Sequence, residues 1–328
     1  MKALVMGGLG FMGYHLAKKL KNQGHDVVVV DAMINYLPNN FDTWNFYIQY
    51  RKNELEKMSV SFIIEDIHTA NLKQIIHQTN PEWIINLASM PIALLADLNP
   101  QHAKKDIFDS NFNLLEVLKS FNKNILRYVY ISSSMVYGNF ERDEKGDIIP
   151  ATENQACKPI DTYGAFKAAN ELLIQQYAYR YQIPFTIIRP SAVYGPTDAN
   201  LRVTEIFIKK AIKGESLTLD NGGQHQLDFT YIDDLIEGIW LALISAKANN
   251  EIFNITYGEG RKIADLAHIV KQYFPNITIQ NNECKPYRPN RGALNIHKAR
   301  TLLGYSPQYS LEKGIAKYID FIKQIETV

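Results

Sequence analysis

The sequence predicts an α/β protein in which a doubly wound parallel sheet is followed by a smaller, mixed α/β C-terminal lobe. In the first half, short apolar runs rich in β-branched residues alternate with longer helical patterns, as strands alternate with crossover helices. After Pro196 this alternation loosens into shorter elements. We therefore expect a first unit over residues 1–195 and a second over 196–328, with some elements crossing back.

Six runs of the first unit have the length and composition of buried strands. They are ALVM (3–6), VVVV (27–30), SFII (61–64), WIINL (83–87), RYVYIS (127–132) and FTIIRP (185–190). Continuous apolar runs of this length are typical of parallel strands that helices cover on both faces. In the second unit, the pattern predicts apolar helices near 233–245 and 311–326.

The charge balance, the cysteines and the histidines argue against several classes of protein. Lys plus Arg total 35 and Asp plus Glu 34, so no nucleic-acid or membrane partner is indicated. The N-terminal MKALVMGG is unlike a signal peptide. Cys157, Cys284 and the eight histidines show no metal-like spacing. We expect a small-molecule partner, no metal, and a reducing compartment such as the cytoplasm.

The first predicted strand leads directly into a glycine-rich turn, GGLGFMG. Gly7, Gly10 and Gly13 would let the backbone turn tightly and approach a pyrophosphate at the amino end of a helix that begins near Phe11. The second strand ends in Asp31, where an acidic side chain would hold ribose hydroxyls. Three glycines alone also fit a plain structural turn, but this context predicts a Rossmann-like dinucleotide site.

The same region indicates which dinucleotide is bound. The carboxylate of Asp31 would repel a ribose 2′-phosphate, and the following AMINY offers no Arg or Lys to bind one. NAD is therefore expected rather than NADP. Asp66 and Ile67, after the third strand, fit an adenine contact, although an aspartate there fits a cap of the next helix equally well.

A serine-rich strand end and a tyrosine–lysine pair are the candidate seat of chemistry. ISSSMVYG places hydroxyls at the carboxyl edge of the sheet, where open α/β folds bind ligands. Tyr163 and Lys167 are four residues apart, so on a helix they share a face. Free tyrosine is a poor base, but a nearby ammonium and a positive nicotinamide ring would lower its pKa. These residues predict a proton relay beside a hydride acceptor.

Ten short motifs together resemble the extended branch of the short-chain dehydrogenase/reductases, the group of nucleotide-sugar epimerases and dehydratases. They are GGLGFMG, VVVVD, EDI, INLAS, DSN, ISSSMVYG, YGAFK, IIRPSAVYGP, LDFTYIDDL and KARTLLGYSP. The resemblance implies a first unit that binds NAD and a second that binds substrate, with catalytic roles for Ser133, Tyr163 and Lys167. The implied NAD contacts are Gly7, Gly10, Phe11, Met12, Gly13, Asp31, Asp66, Ile67, Leu87, Ala88, Asn111, Ser132, Tyr163, Lys167 and Pro190.

Substrate recognition departs from the pattern of this family. Ala192 stands where the family usually has an asparagine, and Leu227 where it has an arginine; both usually hold the diphosphate of the substrate. Arginines elsewhere in the chain offer a replacement phosphate clamp, although each also fits a plain surface position. The expected substrate-binding residues are Ser89, Ser133, Ser134, Arg202, Arg288 and Arg291.

The resemblance implies an NAD-dependent nucleotide-sugar epimerase of carbohydrate biosynthesis, most simply a 4-epimerase that works through a 4-keto intermediate. Met135 stands where dehydratases and decarboxylases have an extra acid, so a 4,6-dehydratase is disfavoured. An NAD(P)-dependent sugar dehydrogenase or reductase remains an alternative, as does a non-catalytic NAD sensor. Relatives commonly form homodimers by pairing the helix of Tyr163 with the helix near 107–120.

Overall fold

The computed structural model describes residues 1–68, 71–121, 125–283 and 289–326. Cys284 and Arg288 lie outside these residues. The strands are β1 Lys2–Met6, β2 Asp26–Asp31, β3 Ser61–Ile64, β4 Trp83–Asn86, β5 Arg127–Ile131, β6 Phe185–Arg189, β7 Val193–Tyr194, β8 Leu217–Asp220, β9 Gln226–Asp228, β10 Thr230–Tyr231, β11 Glu251–Asn254, β12 Gly260–Lys262 and β13 Ile279–Asn282. The helices are α1 Phe11–Asn22, α2 Phe41–Lys57, α3 Leu72–Thr79, α4 Ala93–Leu98, α5 Pro100–Ala103, α6 Ser110–Phe121, α7 Thr162–Tyr181, α8 Val203–Ile212, α9 Ile232–Ile244, α10 Ile263–Tyr273, α11 His297–Leu303 and α12 Leu311–Glu326.

Within the described residues, seven parallel strands form one central sheet, in the order β11, β6, β5, β4, β1, β2, β3. The six strands predicted for the first unit are confirmed, and their ends differ from the prediction by at most one residue. The seventh strand, β11, comes from the second unit and pairs with β6 at the edge of the sheet. The main sheet is therefore built from both halves of the chain.

Both faces of this sheet are covered, which explains its continuous apolar strands. Ala3 and Val5 of β1 face one side and pack with α1 and the second half of the chain. Leu4 and Met6 face the other side and pack with α3 and α6. Because successive side chains of a strand point to opposite faces, a doubly covered strand buries both sets of side chains, and most of its positions are apolar.

Small two-stranded pairs and helices, most of them from the second unit, lie beside the main sheet. Pairs form between β7 and β10, between β8 and β13, and between β9 and β12. The two helices predicted from the apolar pattern are confirmed as α9 and α12. In α12 the side chains of Ile315, Tyr318, Ile319 and Ile322 are buried in the same core as α1.

The parallel register brings several loops to one edge of the sheet. Met6 of β1 pairs with Asn86 of β4, and Ile131 of β5 pairs with Ile188 of β6. The segments that follow these strands therefore meet at the carboxyl edge. In the described residues, no helix has both the length and the apolar composition needed to cross a bilayer, and no group of His, Cys, Asp and Glu there could hold a metal ion.

Candidate active site

The turn between β1 and α1 has no room for side chains at two of its glycines. Gly7 has a φ of +75°, and a Cβ there would come within 2.8 Å of the backbone nitrogen of Ala88. A Cβ on Gly13 would come within 2.1 Å of the carbonyl oxygen of Gly7. The helix begins at Phe11 with Gly10 as its N-cap. The backbone thus approaches closely a space at the amino end of a helix, which suits a pyrophosphate.

Asp31 lies at the end of β2 and is fixed by two backbone N–H groups. Leu9 donates to Oδ2 at 2.9 Å and Met33 donates to Oδ1 at 2.7 Å. Burial raises the pKa of Asp31, while these hydrogen bonds and the charge of Arg51 oppose the rise. The carboxylate is therefore oriented by the glycine turn itself and faces the adjoining cleft.

A cleft of about 1140 Å³, open to solvent, runs along this edge of the sheet. The predicted NAD contacts that line it are Gly7, Gly10, Phe11, Met12, Gly13, Asp31, Asp66, Ile67, Leu87 and Ala88, and the predicted substrate contacts Ser89 and Arg202 line it too. The glycine cradle and the oriented carboxylate fit a dinucleotide that carries a free ribose diol. Asp66 accepts from the N–H of His68 at 2.9 Å; the cap of α3 is Asn71, so that alternative for Asp66 is not realised.

A second cavity, of about 550 Å³, adjoins the cleft and contains the serine, tyrosine and lysine. Lys167 is buried; its Nζ donates to the carbonyl oxygen of Ile131 at 2.9 Å and lies 5.6 Å from the ring centroid of Tyr163. Ser133 makes a hydrogen bond with the Tyr163 phenol. Pro190 also lines this cavity. The predicted catalytic groups are therefore in one place.

The protein alone does not lower the pKa of the tyrosine. Burial raises the pKa of Tyr163, and the charge of Arg202 and the hydrogen bond with Ser133 oppose this rise. Burial also lowers the pKa of Lys167 to about 7, against the opposing charge of Glu171. The sequence predicts that the Lys167 ammonium supplies the charge; the structure adds a second cation, Arg202, whose charge favours the phenolate of Tyr163.

Beneath this cavity lies a buried ion pair that the sequence analysis missed. Glu171 accepts from Arg189, from Nε at 3.0 Å and from Nη2 at 2.5 Å. Ser132 also donates to Glu171, at 2.5 Å. Nη1 of Arg189 donates a further hydrogen bond to the Tyr137 hydroxyl at 2.8 Å. Spacing in the sequence could have indicated Glu171, because it follows Tyr163 and Lys167 at four-residue intervals and so lies on the same face of α7.

Asn111 lies behind the two cavities and makes hydrogen bonds with residues of neighbouring elements. Its side chain is fully buried, accepts from Nδ2 of Asn86 at 3.2 Å and donates to Oδ1 of Asn170 at 3.1 Å. It also accepts from the Tyr128 hydroxyl. Asn111 lines neither cavity, so its contacts join β4, β5, α6 and α7 behind the sites expected to bind NAD.

Two of the three arginines predicted to bind substrate line a cavity. Arg202 lines both cavities, and its Nη1 donates to the carbonyl oxygen of Val193 at 2.8 Å. Arg291 lines the smaller cavity, where Nη1 lies 3.3 Å from Oγ of Ser134. Both are therefore cavity residues rather than plain surface arginines. Arg288 is outside the described residues.

Arg51 of α2 is a further cleft residue that the sequence analysis missed. Its guanidinium is buried, donates to the carbonyl oxygen of Leu9 at 2.8 Å and also donates to the carbonyl oxygen of Thr197. Burial lowers the pKa of Arg51 to about 10. One side chain therefore joins the glycine turn to the loop after β7.

Comparison with known proteins agrees with this geometry. A family model described as the NAD dependent epimerase/dehydratase family matches residues 3–256. The chain belongs to this family. It is 29% identical over 329 residues to the uncharacterized UDP-glucose epimerase YtcB of Bacillus subtilis, covering 99% of each chain. It is 27% identical over 338 residues to UDP-glucuronate 4-epimerase 4 of Arabidopsis thaliana, covering 96% of this chain and 74% of the relative.

A solved structure of this family superposes over the whole chain. It is the UDP-glucuronic acid 4-epimerase from Bacillus cereus in complex with UDP-glucuronic acid and NAD, with 30% identity, a TM-score of 0.87, and coverage of 99% of this chain and 100% of that one. As a member of the epimerase/dehydratase family, the chain is an NAD-dependent enzyme. The predictions of fold class, family and cofactor are confirmed.

Proposed function

We propose that the chain is an NAD-dependent 4-epimerase of nucleoside-diphosphate sugars that works through a 4-keto intermediate. The observation on which this rests is the grouping of Ser133, Tyr163 and Lys167 in a cavity that adjoins the dinucleotide cleft. The names of relatives of similar length support this proposal: YtcB is called an uncharacterized UDP-glucose epimerase, and the Bacillus cereus structure a UDP-glucuronic acid 4-epimerase.

The proposed cofactor contacts follow from the cleft. Gly7, Gly10 and Gly13 would hold the pyrophosphate with backbone N–H groups at the start of α1. Asp31 would accept from the ribose hydroxyls, and its charge would disfavour a 2′-phosphate. When bound, NAD supplies a reversible acceptor for the hydride of the reacting carbon.

The proposed acid–base chemistry uses groups already in contact. Tyr163 as phenolate would take the proton of the C4 hydroxyl, and Ser133 would donate a hydrogen bond to the same oxygen as it becomes a carbonyl. Lys167 would orient the nicotinamide ribose from one turn further along α7. The 4-keto sugar would then turn over in the cavity, C4 would take back the hydride on its opposite face, and Tyr163 would return the proton to O4, which gives the other epimer.

The same cavity disfavours loss of water from the sugar. The side chain that follows Ser134 is Met135, whose thioether cannot act as an additional acid or base. Among the described residues, no carboxylate lines the smaller cavity. Oxidation and reduction at a single carbon need only Ser133, Tyr163, Lys167 and the cofactor. A dehydrogenase or reductase would use the same groups, so the experiment has to distinguish these enzymes from an epimerase.

The proposal is tested with UDP-, GDP-, CDP- and dTDP-sugars, incubated with enzyme but without added cofactor and followed by mass spectrometry and NMR. We expect an epimer of unchanged mass and NAD retained in the purified protein. A product lighter by about 18 Da, the water lost in acid–base elimination, would indicate a dehydratase. Turnover only with stoichiometric added NAD(P) would indicate a dehydrogenase. Tyr163→Phe, which keeps the ring but not the hydroxyl, is the control.

Proposals about assembly, location, biological role and domain roles follow from the same resemblance. We propose that the enzyme forms a homodimer through α6 and α7, that it works in the cytoplasm, and that its product serves carbohydrate biosynthesis. We also propose that residues 1–195 bind NAD and that 196–328 recognise substrate, with β11 crossing back into the main sheet.

A further inference from the structure

The cleft proposed to hold NAD is bounded by segments that follow three neighbouring strands. In the sheet, β1 lies between β4 and β2 and is parallel to both. The carboxyl ends of these strands therefore lie at one edge, with the glycine turn after β1 in the middle. A contact inside the cleft between the segment after β2 and the segment after β4 thus spans the glycine turn.

Tyr36 and Asp106 make such a contact. The hydroxyl of Tyr36, in the segment after β2, donates to Oδ2 of Asp106, in the segment after β4, at 2.9 Å. Both side chains line the same cleft as Gly7 and Asp31. One hydrogen bond therefore joins the two flanks of the cleft, between residues that are 70 positions apart in the chain.

Asp106 is a buried acceptor that its own segment holds in place. It lies in a π-helical turn, Lys104–Asp109, between α5 and α6, and such turns are rare and occur often at functional sites. The backbone carbonyl of Asp106 accepts from the Ser110 hydroxyl at 2.7 Å. Nε2 of His102 lies 3.2 Å from Oδ2 of Asp106. The carboxylate is therefore fixed where Tyr36 reaches it.

Tyr36 is anchored on the segment after β4 by its ring as well as by its hydroxyl. The ring packs against an apolar cluster that includes Met90 and Ile107. Burial raises the pKa of Tyr36, and the charge of Asp106 raises it further. The phenol therefore keeps its proton and remains the donor of the hydrogen bond.

We infer that Tyr36 and Asp106 form a clasp that closes over NAD and keeps the cofactor in the enzyme between turnovers. The inference rests on the proposed placement of the NAD pyrophosphate at the glycine turn. For NAD to enter or leave this part of the cleft, the hydrogen bond has to break and the Tyr36 ring has to leave its apolar contacts. Hydrogen bonds to charged groups are among the stronger ones in proteins, so the clasp slows both entry and release.

Retention of the cofactor suits the proposed epimerisation better than the alternative. In an epimerase, the hydride that the cofactor accepts returns to the same sugar. Loss of the reduced cofactor before that return would leave a 4-keto sugar without its reductant. A dehydrogenase has to exchange its cofactor in every turnover, and opening of the clasp would limit that exchange.

The test measures the rates at which NADH binds and leaves, and it needs no sugar. Trp44 lines the same cleft, so energy transfer from its indole to NADH reports binding in a stopped-flow instrument, and excess NAD then displaces the NADH. Tyr36→Phe keeps the ring and loses the hydroxyl. We expect it to speed up both binding and release by about tenfold to a hundredfold. Because both rates rise, Kd should change by less than about threefold.

Two further variants show whether one contact is responsible. The double variant Tyr36→Phe/Asp106→Asn should match Tyr36→Phe alone, because both changes act on the same hydrogen bond. Tyr273→Phe, at a 42% exposed tyrosine of α10, should match wild type. Release at the wild-type rate in Tyr36→Phe would overturn the clasp. Faster release with an unchanged binding rate would overturn it too, since the hydroxyl would then be a plain ligand of the cofactor.

Asp31→Ala tests the placement of NAD separately. It should weaken NADH binding through faster release alone, because Asp31 would contact the bound ribose and takes no part in the clasp. If Asp31→Ala binds NADH as wild type does, the proposed placement fails and the clasp with it. If Asp31→Ala binds more weakly and Tyr36→Phe equals wild type, only the clasp fails. A negative result with every nucleoside-diphosphate sugar would refute the epimerisation and leave these rates unchanged.

Discussion

Lys167 is a buried lysine whose burial costs the folded chain stability. Burial lowers its pKa from 10.5 to about 7, whereas the unfolded lysine keeps its ordinary value. Between these pH values the unfolded chain binds a proton that the folded chain does not, so stability rises with pH across this interval and is lowest below it. Glu171 does not need Lys167, because Arg189 and Ser132 already bind its carboxylate.

We expect Lys167→Met to be more stable than wild type near pH 7, by about 1–3 kcal/mol, because it removes this desolvated charge. The advantage should shrink as the pH rises toward 10, because the unfolded wild-type lysine then also begins to lose its proton. Urea unfolding of the NAD-free proteins at pH 6.5 and 9.5 measures this. Lys213→Met, at an exposed lysine, is the control; a variant that is equally destabilised at both pH values would contradict the prediction.

Arg202 is the residue whose charge favours the phenolate of Tyr163. Removing that charge raises the tyrosine pKa, so a higher pH is needed to form the proton-accepting species. We expect the acidic limb of the kcat/KM profile of Arg202→Gln to move up by about 0.5–1 pH unit. Arg202→Lys should keep the wild-type limb. If the acidic limb of the profile of Arg202→Gln stays at the wild-type pH, whatever the change in KM, Arg202 does not influence the pKa of Tyr163.

At the scale of elements, Arg51 of α2 joins the glycine turn to the loop after β7. Thr197, in the loop after β7, has a φ of 71°, which a β-branched residue rarely adopts. Its carbonyl oxygen accepts from Arg51, as does that of Leu9 in the glycine turn. The buried guanidinium also faces the charges of Asp31 and Asp198.

Arg51→Met should therefore lower the free energy of unfolding by about 2–4 kcal/mol, because two carbonyl oxygens lose their donor and two carboxylates lose a cation. NAD affinity should fall as well, since the glycine turn is no longer fixed. Urea unfolding and an NAD titration measure the two effects. Lys52→Met, at the next position of α2, should be close to wild type; equal behaviour of the two variants would refute the role of Arg51.

Elements with a strong local pattern were predictable from the sequence, and contacts between distant elements were not. Strands such as Val27–Val30 and the face of α7 with Tyr163 and Lys167 follow from composition and spacing alone. The contacts of Arg51 and Arg291 join residues far apart in the chain. The sequence offered Arg291 only as a phosphate clamp, because nothing local indicates that its neighbours are Ser134 and Met135.

At the scale of the whole molecule, exposed apolar side chains on α6 and α7 agree with the proposed homodimer. Leu172 is 71% exposed and Tyr179 is 86% exposed, and their seven-residue spacing puts them on one face of α7. Phe112 of α6 is 40% exposed and its ring contacts Tyr177. Exposed apolar side chains are therefore present on both helices.

Leu172→Glu should convert the dimer to a monomer, because it places a charge in an apolar interface. The molar mass from size exclusion with light scattering should halve, while the circular dichroism spectrum stays unchanged. Ile244→Glu changes an aliphatic residue that is 51% exposed at the end of α9 and should remain dimeric. A monomeric wild type, or an unchanged mass for Leu172→Glu, would contradict the proposed interface.

The pairing of β11 with β6 has a consequence for how the chain folds during synthesis. Until Asn254 has left the ribosome, β6 has an open edge with unpaired N–H and C=O groups and apolar faces. Such an edge can pair with another nascent chain. Since Asn254 is followed by only the last quarter or so of the 328 residues, β6 gains its partner strand late in translation. A ribosome stalled after β7 would thus present an aggregation-prone edge to chaperones.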